Sequence, residues 1–371
     1  MKLFRIAALT LLLAAVSCGP KVQPAHDTLP LVREIMQDGG NRFHQLLKNS
    51  QTPDPLGDIY IIGAEDAAFH LAEDFARCDA RDNIDGSLKS DGLPDFAGET
   101  ISCVIDTTGL VGTMINSALL GKDDRSLREF VVNSVLSLMD TVCHISPYDI
   151  DGLGRKNPAK MVILAAPYLA QYAMHDIDTL MQAFNSSVPV ICPAMEMYDV
   201  AFSSHPGRDI TMGLIYHERF SGSEVYANMF RAACREKGSI ASSFAAFPEA
   251  ENPDSSLVSF LDNYIAAGYT RPLNTIAIDT YTVSLETMKS SLAGMISVMN
   301  EESMKYGKYI AKDFRFLHTT EAIASRCYDL LRSRNAFTHN ISKPRIAVYY
   351  ANVDPENGNN LFLVPGNYVQ D

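Results

Sequence analysis

The chain has 371 residues and a formal net charge of −13. That acidic balance argues against nucleic acid and against an electrostatic grip on anionic lipid. Beyond a leader and tether of 31 residues, about 340 residues exceed what one hydrophobic core usually serves, so two lobes are expected.

Lys2 and Arg5 precede an apolar run, Leu9 to Val16, too short to cross a bilayer, and no other stretch is long and apolar enough to do so. Ala15-Val16-Ser17-Cys18 then places small residues before a cysteine. The segment resembles the bacterial lipoprotein signal, with Ala15 where Leu is usual. The resemblance implies a leader of residues 1–18, acyl chains such as palmitate on Cys18, and an extracytoplasmic, membrane-anchored place in the cell envelope, on the periplasmic side. An ordinary cleaved signal peptide is the other reading. Loss of Lys2 and Arg5 with the leader takes the net charge to −15. Residues 19–31, rich in proline and polar side chains, read as a tether.

From residue 32, short β-branched runs alternate with helical patterns. Strands are predicted at 58–63, 101–106, 161–165 and 188–192. Helices are predicted at 64–78, with Ala68, Leu71, Ala72 and Phe75 on one face, from 110, at 126–143 and near 176–184. The pattern restarts near 205. Strands are predicted at 210–216, 240–247, 275–279 and 314–318, and helices at 224–237, 255–267, 284–299 and 320–333. Ser221-Gly222-Ser223-Glu224 reads as a cap for the helix at 224. Strands at 345–351 and 361–364 close the chain around the turn-rich DPENGNN. This alternation predicts an α/β protein of two doubly wound parallel-sheet lobes, 32–204 and 205–371, with some chain crossover between them. A ligand cleft is expected between the lobes at the strand carboxyl ends.

Motifs narrow the chemistry by their absence. GxGxxG after Gly63, GxxxxGK[ST], GxSxG and HExxH are all missing, so no cofactor is expected. Six cysteines follow Cys18 at wide spacings without CxxC, which is not a zinc pattern. Cys103, Cys143 and Cys192 lie in or beside apolar segments and read as buried hydrophobes.

The densest polar stretch is CDARDNIDGSLKSDGLPDFAGE, Cys78 to Glu99. An EF-hand with Gly86 at its sixth position would begin at Arg81, which fails. Asp79, Asp82 and Asp85 stay as candidates for a less regular calcium site. The alternative is a solvated loop closed by Asx turns, at the pole opposite the cleft.

The better ligand candidates follow strands: Glu65, then Asp106, Thr107 and Thr108, then Tyr168 and Glu196. The second lobe adds Arg219, Ser221, Asp279 and Tyr281. Carboxylates suit an ammonium, arginine a carboxylate, and tyrosines a stacked group. A zwitterion would set its ammonium near Asp106 and its carboxylate near Arg219. His217 and Glu218 are adjacent on a strand end and should point apart. His70 reads as an ordinary helix residue.

Two family resemblances follow. The order of elements, and ITMGLIYHERFSGSEVYANMFRAACREKG with SSVPVICPAME before it, resembles the type I periplasmic binding proteins. That implies an open–closed clamp binding a small polar or zwitterionic solute unchanged, for uptake or sensing, with a membrane transporter or sensor as partner. CVIDTTGLVGTM, VPVICPAME and SGSEVY resemble the aspartate/glutamate racemase superfamily, whose chemistry needs two cysteine thiolates. Ala166-Pro167 and Asp279-Thr280 stand where those cysteines would fall. The expectation is therefore solute binding without catalysis. The alternative is a racemase-like or hydrolytic enzyme that uses carboxylates rather than cysteines.

Overall fold

The computed structural model describes residues 27–106, 109–146, 148–297, 305–338, 340–353 and 361–366. The leader, Cys18, Thr107 and Thr108 lie outside them.

Two short helices open the described chain, α1 (Pro30–Gln37) and α2 (Arg42–Asn49). The first lobe then runs β1 (Asp58–Gly63), α3 (Glu65–Arg77), β2 (Thr100–Asp106), α4 (Leu110–Leu119) and α5 (Arg125–Met139). A hairpin, β3 (Val142–Ser146) and β4 (Asp149–Arg155), precedes β5 (Ala159–Leu164), α6 (Pro167–Phe184), β6 (Val190–Ile191) and α7 (Pro193–Ser203). The second lobe holds β7 (Thr211–Tyr216), α8 (Val225–Lys237), β8 (Ser243–Pro248), α9 (Ser256–Ala266), β9 (Leu273–Asp279), α10 (Leu285–Ser297) and β10 (Ile310–His318). The remaining elements are α11 (Thr319–Ser333), β11 (Arg345–Val353) and β12 (Leu361–Gly366).

The large sheet has the order β12-β11-β2-β1-β5-β6, and the small sheet β10-β9-β7-β8. All pairings in both sheets are parallel except β11 with β12. Ile59 to Ile62, the whole of β5 and the whole of β7 are buried. That is why these strands read as continuous apolar runs rather than alternating ones. The two-lobed α/β architecture is the one expected.

Several elements differ from the sequence reading, among them the β3–β4 hairpin, whose first strand begins inside the helix expected at 126–143. Helix α6 begins at Pro167, nine residues before the expected start, because Pro at its first turn needs no hydrogen-bonded N–H. Helix α7 begins on Pro193 in the same way. The strand expected at 188–192 keeps only Val190 and Ile191. Ser221 and Ser223 do not cap α8, whose N-cap is Glu224 without a side-chain bond.

The last strands return to the first lobe: β11 pairs with β2 from Arg345↔Thr100 to Ala351↔Asp106. The C-terminal lobe therefore gives up its final segment to the first sheet. Helix α11 follows a small-sheet strand, yet it buries Ile323, Ala324, Cys327 and Tyr328 in the core under β1 and β2. The main core is also shared, running from Tyr60 and Val162 of the large sheet through Met197 and Phe230 to Leu214 and Ala277 of the small one. The two lobes therefore share one continuous apolar core and are joined by two chain crossings.

Candidate functional site

A cavity of about 440 Å³ opens where the carboxyl ends of β1, β2, β7 and β9 meet. Each sheet's strand order reverses around its first strand, and such a switch point leaves a crevice at the carboxyl ends. The first lobe contributes Gly63, His70, Asp74, Asp106, Gly109 and Tyr168 to the lining. The second contributes His217, Arg219, Asp279, Thr280, Tyr281 and Thr319.

The first-lobe residues are held by helix starts. Asp106 Oδ2 accepts a hydrogen bond from the Val111 N–H at 3.0 Å, so this carboxylate caps α4 from the strand before it. Gly109 takes φ 70° at the N-cap, a left-handed conformation that side chains other than glycine rarely adopt. Ala64 and Ala166, the N-caps of α3 and α6, line the cavity and supply no side-chain cap. Helix starts of this kind favour an anionic group nearby.

The second-lobe residues form one hydrogen-bonded group. His217 follows β7 and begins a 3-10 turn, Glu218–Phe220; its Nδ1 accepts from the Arg219 N–H at 3.2 Å. A neutral imidazole accepting at Nδ1 carries its proton on Nε2. That Nε2 lies 2.9 Å from the Tyr281 hydroxyl, and Arg219 Nη2 lies 3.3 Å from the same oxygen. Glu249 Oε1 stands 3.8 Å from Nε2, and the other Glu249 oxygen accepts from the Thr280 and Thr282 hydroxyls. Asp279 accepts from the Tyr226 hydroxyl at 2.5 Å and the Thr319 hydroxyl at 2.7 Å. The His70 ring of the first lobe stacks on Tyr281 with centroids 4.3 Å apart, fixing the tyrosine across the cleft.

Of the ligand residues expected from sequence, the fold brings together Asp106, Tyr168, Arg219, Asp279 and Tyr281. Glu65 is the first residue of α3, at the same pole. Glu196 does not line the cavity; it reaches Arg326 of α11 at 3.5 Å, and burial raises its carboxyl above the usual range. Ser221 is exposed after the 3-10 turn and does not line the cavity either. His217 lines the cavity and Glu218, exposed in the 3-10 turn, does not, and the imidazole has a partner the sequence reading did not find, 64 residues away. His70 was missed because its ring matters only once a second lobe lies against it.

The acidic loop is closed on itself. Asp79 accepts from Ser90 Oγ and from the N–H groups of Asp91 and Gly92, and Asp82 accepts from Ile84 and Asp85. Buried Asp95 accepts from Ala80, Arg81 and Cys78. Tyr328 and Arg332 of α11 clamp it through the Asp82 and Ile84 carbonyls. Among the described residues no three His, Cys, Asp or Glu side chains stand together as metal ligands, so Asp79, Asp82 and Asp85 are not gathered as a cation site.

Chemistry by thiolates has no reagents here. The cysteines of the described residues are unpaired, none lines the cavity, and five of the six are buried. Burial pushes the Cys103 and Cys192 thiols up to about 12, so both stay protonated at neutral pH.

No protein-family model matches the chain, and no curated protein matches it. Solved structures similar to it are glutamate racemases. One, an isoform from Bacillus anthracis, has 12% identity, covers 80% of this chain and 89% of that one, and gives a TM-score of 0.44. One from Francisella tularensis subsp. tularensis in complex with D-glutamate has 12% identity, 81% and 90% coverage, and a TM-score of 0.44. One from Thermus thermophilus in complex with β-chloro-D-alanine has 12% identity, 82% and 90% coverage, and a TM-score of 0.44. The expectation of a solute-binding clamp without catalysis is corrected at this point. The similar structures named here are enzymes rather than solute-binding proteins.

Proposed function

We propose that the chain is an enzyme whose inter-lobe cleft performs acid–base chemistry on a small molecule with a charged head, without cysteine. The observation that carries this reading is the chain Glu249, His217, Tyr281, Arg219. The Arg219 backbone N–H occupies Nδ1, so the proton of the neutral ring sits on Nε2 and is donated to the Tyr281 oxygen. A hydroxyl whose oxygen meets two donors, the imidazole N–H and the guanidinium, has its conjugate base stabilised, which suits it to give up and recover a proton. Tyr281 gives its proton to the substrate and takes it back at the end of the reaction, and the His217 Nε2–H, donating to the same oxygen, stabilises the tyrosinate that exists in between. Arg219 offsets negative charge on the hydroxyl oxygen or on a bound carboxylate. Asp279, anchored by Tyr226 and Thr319, orients the polar end of the ligand. Cys18 of the AVSC segment is proposed as the lipid anchor that holds this enzyme outside the cytoplasm. Membrane fractionation of Cys18→Ala tests that part, and retention after a high-salt wash would refute it.

The test of the chemistry is a panel of amino acids, their esters and amides, followed by NMR in D2O for hydrolysis or exchange of carbon-bound hydrogen. At least one compound should be altered by the intact protein, and Tyr281→Phe should abolish the change. Tight binding of a compound that is never altered would overturn the enzyme reading.

A further inference from the structure

Polar groups reach the cleft from the strand ends, and hydrocarbon reaches it from three helices of the first lobe. The strand ends bring Asp106 from one lobe and, just past β7, Arg219 from the other. The floor is built by α4, α5 and α6 from Val111, Ile115, Phe130, Val131 and Leu169. One hydroxyl stands on the α5 wall, Ser134, and it donates to the Phe130 carbonyl of its own helix at 2.7 Å. That hydroxyl is turned onto the backbone, and the wall meets a ligand as hydrocarbon. Arg219 is the one arginine or lysine among the described lining residues, so a second carboxylate deep in the bay would meet no cation. A cavity of about 440 Å³ also exceeds what a two- or three-carbon solute fills.

We infer that the substrate is an amphiphilic zwitterion: an α-amino acid, or a compound with that head, whose side chain is apolar and enters the bay. The inference rests on the cleft being the working site and adds the side-chain class. The ammonium pairs with Asp106, the carboxylate with Arg219 and the open start of α6, and the side chain lies on Ile115 and Val131. A small polar solute, the class expected from sequence, leaves that surface wet.

Calorimetric titration of the full-length protein with alanine, norvaline, norleucine and 2-aminooctanoate tests this, with glutamate as the polar control. Affinity should rise about fourfold per methylene buried, so norleucine should exceed alanine by well over tenfold. Glutamate should bind no better than alanine. In Ile115→Asn, at a half-buried position of the cavity lining, norleucine should lose most of its advantage over alanine. Equal affinities along the series, glutamate binding better than norleucine, or no binding by any member would each overturn the inference. The acid–base reading fails separately, if the series holds and Tyr281→Phe still turns a bound member over.

Discussion

At the amino ends of β1, β2 and β5, Asp58, Glu99 and Lys160 are buried in the large sheet. Lys160 Nζ meets Glu99 Oε2 at 2.5 Å and donates to the Pro55 and Ala336 carbonyls at 2.8 and 3.1 Å. Glu99 Oε1 accepts from Thr338 at 2.8 Å, and Asp58 accepts from Ser102 and Asn157 at 2.9 Å each. At the carboxyl ends of the strands, His217, Arg219 and Tyr281 carry as many polar groups but face a cavity instead of a core. The lower cluster saturates its donors and acceptors within the protein, so it joins the strands and offers nothing to a ligand. The upper cluster is oriented by its own bonds and presents its chemistry to the cleft.

Removing one partner of the buried pair is the severest break of this comparison. Lys160→Met should cost about 3–5 kcal/mol in urea unfolding, because Glu99 then stays buried without its counter-ion. Lys160→Met with Glu99→Leu should regain most of that. A loss below about 1 kcal/mol would mean that the amino-end cluster does not hold the sheet.

Tyr281→Phe and His217→Ala should show the converse. Turnover should fall about a hundredfold or more, while the unfolding free energy changes by less than about 0.5 kcal/mol. A variant that unfolds easily would place the cleft network with the structural cluster instead.

Lys156 sharpens the comparison through pH. Burial pulls its ammonium down to about 8, against Asp140 and Asp58, which act to raise it. Between pH 8 and the ordinary lysine range near 10.5, the unfolded chain holds a proton that the folded chain has lost, so stability should rise with pH there. Wild type should gain roughly 2 kcal/mol between pH 7.5 and 10 relative to Lys156→Met. A flat difference between the two curves would show that the buried ammonium stays charged.

The smallest effect is expected in the acidic loop. Asp95→Ala leaves the N–H groups of Ala80 and Arg81 without their acceptor and should cost about 1–2 kcal/mol. Ligand affinity in the cleft should not move. A change in affinity would show that the loop reaches across to the site.

The strands, the two lobes and the pole of the cleft were legible because each rests on local pattern. Short apolar runs such as DIYIIG and MVILA have to be buried on both faces, and alternation with helices then places ligands at the carboxyl ends. Asp106, Arg219, Asp279 and Tyr281 were within reach because they follow such runs directly. Glu196 and Ser221 share that position in sequence and miss the cavity, since helix phase and one 3-10 turn rotate them away.

Sequence alone determined the element order, the acidic balance and the lack of thiols at Ala166 and Asp279. Only the tertiary structure decided that His217 meets Tyr281, that His70 stacks across the cleft, and that the cleft floor is apolar. Each of those contacts joins segments far apart in the chain, and their meeting is set by strand order and by the core the lobes share. Local periodicity carries no information about either. The same limit hid the return of β11 and β12, since a strand's own pattern shows that it is buried and not which sheet buries it.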